Sequence, residues 1–192
     1  MTARLLLVLL LAGAFAIVPG AAACACSCAT AGPEEQVRRA AAVFTGTVVS
    51  ARPLSGDPLG PRPPVVHTLR ADHVYKGEAN AEFEVVTDAD EASCGYGFAV
   101  GTRYLVFAGE SRGAVSSEVD TGVALGTTLC SGNRRIQAGE GPPRAGDEAS
   151  GEEPLDHALL TALGTPRTPS APAPQGTPST LATPTTPSAP AG

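Results

Sequence analysis

The sequence predicts a small, mainly β domain, a barrel or sandwich stapled by disulfides and flanked by one or two short helices. Three observations point there. About five segments rich in Val, Thr, Phe and Tyr follow one another at hairpin spacing, with no βαβ alternation. Five cysteines occur, three of them crowded into Ala23-Cys24-Ala25-Cys26-Ser27-Cys28 behind an export-type leader. Tryptophan is absent and aromatic residues make up 4% of the chain, so the core must be built from Val, Leu, Ala and a few Phe. A core that small gains much from crosslinks.

Residues 1–25 read as a signal peptide. Arg4 supplies a positive start, Leu5 to Val18 an apolar run, and small residues follow the Pro19-Gly20 break. The run is shorter than the roughly 20 residues that a spanning helix needs. Cleavage after Ala23 or after Ala25 would satisfy the small-residue rule, and lipidation of Cys24 is a third route. Only the cut after Ala25 leaves an even cysteine set: Cys26, Cys28, Cys94 and Cys130. Export places those thiols in an oxidising compartment, secreted or at the cell surface.

About 165 residues then remain, enough for one domain with appendages. Pro33 to Ala42 reads as a short helix, with proline in its first turn, Glu34 and Glu35 at its positive end and Arg38 and Arg39 toward the other. Val43–Val49 is a first strand, Pro53 to Pro64 a proline-rich loop, and Val65 to Tyr75 a second strand stopped by Lys76-Gly77. Ala81 to Thr87 alternates, with Phe83 and Val85 on one face and glutamates on the other. Asp88 to Phe98 is a loop carrying Cys94. Arg103 to Ala108 reads as the most buried strand and Ala114 to Val119 as a weaker fifth, with Thr127 to Cys130 closing the domain near residue 138.

Residues 139–164 divide into an acidic, loose linker and a helix over Leu155 to Leu163. The leucines at 155, 159, 160 and 163 form one stripe, and Gly164 stops the helix. From Thr165 to Gly192 the chain is almost wholly Thr, Pro, Ser, Ala and Gly. It has no apolar face to bury, so it reads as a disordered stalk.

The net charge of −6, with Lys76 the single lysine, argues against nucleic acid because no basic stripe is present. No cofactor, no membrane span after the leader and a monomer are expected. No catalytic motif appears, so the chain does not read as an enzyme. His67 and His73 are expected on one face of their strand, too far apart to share a metal. The crowded cysteines could hold copper(I) or zinc as thiolates, but export favours their oxidation. From the residues alone, four cysteines allow three connectivities, and a Cys26–Cys28 bridge would strain the backbone.

In order, Cys26-Ser27-Cys28, the Val43–Val49 strand, Tyr75-Lys76-Gly77, Ser93-Cys94-Gly95, Tyr104 to Ala108 and Leu129-Cys130 resemble the tissue inhibitors of metalloproteinases, within the wider netrin-like group. The resemblance spans roughly residues 26 to 136. It implies an OB-type, five-stranded closed barrel over 26–138, with Cys26 paired to Cys94 and Cys28 to Cys130. The partner it implies is a zinc metalloprotease. The α-amine and carbonyl of a terminal Cys26 would chelate the protease zinc, Ser27 would enter the specificity pocket, and Ser93 with Cys94 would form the adjoining ridge. Two features depart from the family. Ala41 and Ala42 stand near where a third disulfide would begin, and the tail replaces a cysteine-rich second domain. The competing expectation is a non-inhibitory exported netrin-like module displayed on the stalk.

Overall fold

The computed structural model describes residues 26–115 and 121–170. The expected leader with its cleavage sites and Cys24, residues 116–120, and the expected stalk from residue 171 onward lie outside the described residues.

The elements run α1 (Pro33–Arg39), β1 (Ala42–Pro53), β2 (Val65–Lys76), β3 (Glu82–Thr87), β4 (Arg103–Glu110), β5 (Leu125–Gly126), β6 (Arg134–Arg135) and α2 (His157–Leu163). The sheet order is β1-β2-β3-β5-β4-β6, and β1 also pairs with β4, which closes the first five strands into a barrel. All pairings are antiparallel except β3 with β5. This is the OB-type arrangement. Among the described residues, no helix is long and apolar enough to cross a membrane.

Alternation along β1 and β4 separates two cores, because successive side chains point to opposite faces. Inside the barrel lie Phe44, Val48, Leu69, Val74, Phe83, Val85 and Val106. Phe44 stacks on Phe83 with ring centroids 4.1 Å apart. Outside, Val43, Leu105 and Phe107 meet Ile136, the α2 leucines Leu159 and Leu163, and Leu155, which lies just ahead of α2 because the helix starts at His157 and not at Leu155. The leucine periodicity of α2 therefore exists to cover the outer wall of β1 and β4. Asp156 caps that helix, its carboxylate accepting the Leu159 amide at 2.7 Å. Lys76 donates to the carbonyls of Val37 and Arg38, both at 2.8 Å, and so terminates α1.

Several expectations change. The described fifth strand is Leu125–Gly126, and most of the strand expected over Ala114 to Val119 lies outside the described residues. A 3₁₀ turn at Ser111–Gly113 follows β4 at once, and Ala114 donates back to Ser111. Gly126 fits the new position because a Cβ there would lie 2.4 Å from the Ala114 methyl. Thr127 to Cys130, expected only to close the segment, leads into a 3₁₀ turn over Leu129–Ser131. The first helix stops at Arg39, since Ala41 already donates to Ala108 at the barrel seam.

His67 and His73 face opposite sides. Pairing of β1 with β2 skips Asp72 between His73 and Ala71, and such a bulge reverses the alternation. His67 keeps the inward parity of Leu69 and meets Phe98 in a tilted contact with ring centroids 5.1 Å apart. Beyond the bulge Val74 turns inward, so His73 and Tyr75 turn outward. The bulged Asp72 accepts from Arg103 Nε at 2.8 Å, and also from Thr45 and His73.

Two stretches expected to be loose are pinned. Arg103 also donates to the carbonyl of Gly141 at 2.7 Å, and Gln137 donates to that of Asp147 at 2.7 Å, which ties the acidic linker to the barrel. Residues 165–170, assigned by composition to the disordered stalk, run along the part of β2 that β3 leaves uncovered. Arg167 and Val74 exchange backbone hydrogen bonds of 2.8 and 2.9 Å, and Ser170 donates to Ala79 at 2.7 Å. An open strand edge offers unpaired groups to any neighbouring chain, whatever its composition.

Truncation of Leu159, fully buried against β1 and β4, is expected to cost about 3 kcal/mol in Leu159→Ala, read from urea unfolding. Burial pushes the His67 imidazole down to about 4, so the native state keeps it neutral while the unfolded chain protonates near 6.5. Stability is therefore unaffected above pH 6.5 and falls between pH 6.5 and 4, by about 3 kcal/mol at most. His67→Leu should flatten that window. Burial raises the Asp72 carboxyl, but hydrogen bonds from Arg103, Thr45 and His73 outweigh it and hold it below its ordinary value. The stability due to Asp72 is present above the ordinary carboxylate pKa and disappears only as pH falls further, below the His67 window. Urea midpoints measured across pH separate the two.

Candidate functional site

Four cysteines converge at one end of the barrel. Cys26 is bonded to Cys94 and Cys28 to Cys130, across 68 and 102 residues of sequence. Both crosslinks fasten an N-terminal segment that precedes the first regular element. In the chain-entropy account, loops of this length contribute about 3–5 kcal/mol each. The two disulfides touch: Cys26 Sγ lies 3.5 Å from Cys130 Sγ.

The loop carrying Cys94 is built for the purpose. A 3₁₀ turn at Glu91–Ser93 ends with Cys94 in the left-handed region, φ 65°, which makes it the sole non-glycine residue at positive φ among the described residues. That conformation is costly for a side-chain-bearing residue. It is held by the Asp90 carbonyl, which accepts from both Ser93 and Gly95 at 3.0 Å, and by Thr87 Oγ1, which accepts from the Tyr96 amide at 2.9 Å. Gly95 is required by close approach, because a Cβ would fall 2.0 Å from the Asp88 carbonyl oxygen. Arg62, from the proline-rich β1–β2 loop, reaches Asp90 at 3.0 Å. Beneath the loop, Phe98 meets Tyr104 edge to face at 4.9 Å, and Tyr104 Oη accepts from the Ala99 amide.

Cys130 is positioned by polar residues that the sequence reading passed over. Thr128 and Ser131 form a reciprocal capping box around the 3₁₀ turn. Asn133, buried, accepts from the Phe107 amide at 2.8 Å and donates to Thr127 Oγ1 at 2.8 Å. The Thr-x-x-Ser spacing was a legible signal for the box. The Asn133 link to β4 was not, since it spans 26 residues. The Leu129 amide donates to the Cys94 carbonyl at 2.8 Å, so the two cysteine-bearing loops are joined directly as well as through the N-terminal segment.

The structure thus brings together Cys26, Ser27, Cys28 and Cys94, with Ser93 on the same loop as Cys94. Ser27 and Ser93 are exposed, whereas Cys26 and Cys94 are half-buried. A groove of about 690 Å³ runs beside the second disulfide, walled by Cys28, Tyr96, Cys130, Arg134 and Glu153. Burial pushes the Tyr96 phenol well above its usual range, with the Glu152 carboxylate adding to the shift. Arg134 meets Glu153 at 2.7 Å. The sulfurs of Cys26, Cys28 and Cys130 lie within 4.8 Å of one another, a metal-like spacing, but all three are oxidised. Thiolates, not disulfide sulfurs, are the metal-binding form.

No family model matches the sequence, and no curated protein does. The geometry of the site stands by itself.

Gly95→Ala should displace the Cys94 loop at a cost of about 2–4 kcal/mol. Maleimide labelling after oxidative refolding checks this: Cys94 becomes reactive in the variant and stays protected in the parent.

Proposed function

We propose that this chain is an exported inhibitor of zinc endopeptidases, constructed like the tissue inhibitors of metalloproteinases. The observation that carries the reading is the clamp on residue 26. Cys26 is tied to Cys94 beside the second disulfide, with exposed Ser27 following it and exposed Ser93 on the partner loop. Cleavage after Ala25 would leave a free amine at that pinned position. The two described disulfides use four cysteines, so a chain that kept Cys24 would carry an odd thiol.

The chemistry follows from the open position of a catalytic zinc. An α-amine and the carbonyl of the same residue form a five-membered chelate that displaces the zinc-bound water needed for hydrolysis. An α-amine with a pKa near about 8 is partly neutral at physiological pH, and the metal shifts it further toward the free base. Crosslinks at Cys26 and Cys28, either side of Ser27, hold this group in place before binding, which reduces the ordering cost. Ser27 then points toward the specificity pocket, and Ser93 with Cys94 forms the flanking ridge. The missing third disulfide does not remove the anchor, because Ala42 is buried in the β1–β4 seam.

Intact mass of the exported protein tests the premise, with a start at Cys26 and four oxidised cysteines expected. That material should inhibit members of a panel of zinc endopeptidases, and acetylation of its amine should abolish inhibition. A start at Cys24, an acylated cysteine, or inhibition that survives acetylation overturns the chelation. The alternative is then a non-inhibitory display module on the same barrel.

A further inference from the structure

The contact between the two disulfides has chemistry of its own. Neighbouring crosslinks usually protect separate loops, whereas here Cys26 Sγ and Cys130 Sγ, from different bridges, are 3.5 Å apart. Cys28 Sγ lies within 4.8 Å of both. A thiolate generated at Cys130 is therefore already in contact with a sulfur of the other bridge. Exchange requires that contact and an accessible first target, because rate depends on access and on which sulfur is attacked.

Access is unequal. Cys28 is exposed and, with its partner Cys130, walls the open groove, while Cys26 and Cys94 are half-buried. An external thiolate reaches the Cys28–Cys130 bridge first. We propose that the paired disulfides form a thiol-reactive centre, whose substrate class is a low-molecular-weight thiol and whose product moves the clamp on residue 26 from Cys94 to Cys130.

The steps balance without another oxidant or reductant. The incoming thiolate forms a bond to Cys28 Sγ, and the Cys28–Cys130 bond breaks with its electron pair leaving on Cys130. Cys130 Sγ then bonds to Cys26 Sγ, and the Cys26–Cys94 bond breaks with the pair leaving on Cys94. Cys94 takes up the proton that the external thiol lost. The sum is one thiol added: a mixed disulfide at Cys28, a Cys26–Cys130 bridge and a free Cys94. The structure favours release of Cys94, because its loop remains held by Asp90, Thr87 and the Leu129 amide when the bridge is lost. The product keeps residue 26 crosslinked but removes the bond to the ridge loop. That is a redox-sensitive change at the candidate site, and it is independent of whether the site inhibits a protease.

The experiment treats the folded, oxidised protein with reduced glutathione, quenches with N-ethylmaleimide and maps the bridges by peptide mass. The expected species carries glutathione on Cys28, maleimide on Cys94 and a Cys26–Cys130 bridge. Maleimide on Cys130 with Cys26–Cys94 intact overturns the proposal, as does the absence of any glutathione adduct. A second arm needs no external thiol. In Cys28→Ser, Cys130 starts as a free thiol, and a mixture of Cys26–Cys94 and Cys26–Cys130 bridges is expected. Cys26–Cys94 alone contradicts migration. If that variant does not fold, Cys94→Ser provides the mirror case, with Cys26 attacking Cys130 and Cys28–Cys130 alone as the contrary result. The readout is covalent, so it holds or fails separately from protease inhibition.

Discussion

Everything else in the structure leans on β1, a long strand that, like β4, hydrogen-bonds along both edges and buries both faces. It pairs with β2 over its length and with β4 from Ala42 to Thr47. Its inward residues Phe44 and Val48 fill the barrel, and its outward Val43 lies under the helices. A strand in that position cannot shift by one residue, because a slip would exchange the two cores. Of the three irregularities in its pairing with β2, the one at Asp72 is stabilised by Arg103 rather than left open. The same arginine holds the linker carbonyl of Gly141, so the bulge, β4 and the returning chain share one polar anchor.

The candidate site is a consequence of that closure. The barrel fixes β3 and β4, and their connecting loop carries Cys94 in a backbone conformation held by several hydrogen bonds. The turn after β5 carries Cys130, positioned by Asn133 and the Thr128–Ser131 box. The N-terminal segment has no strand of its own and takes its place from two disulfides to those loops. Such an architecture displays a short peptide rigidly at the surface. It also brings two bridges into contact, and reactivity between them comes from the same crowding that provides rigidity.

Much of the fold was legible locally. The alternation in Glu82-Phe83-Glu84-Val85 and the apolar run of Arg103 to Ala108 placed β3 and β4 almost as observed. The leucine stripe of α2 announced a docked helix, and parity of the cysteines suggested two crosslinks. The two-residue β5 escaped notice because a strand that short carries no periodicity. Its position depends on Gly126 fitting between β3 and β4, whose partners lie far away in sequence. The facing of His73 escaped for a related reason. A bulge leaves no mark on one strand read alone, since it is a mismatch between two.

By itself the sequence determined most of the element types, the small-core class and the supply of four cysteines after residue 25, because these follow from local periodicity and composition. Resemblance suggested the pairing, but residue counting left three connectivities open. Only the tertiary structure decided which sulfurs touch, how Cys94 is oriented and where the 165–170 segment lies. Those outcomes rest on contacts between residues tens of positions apart, and short-range pattern carries no information about them.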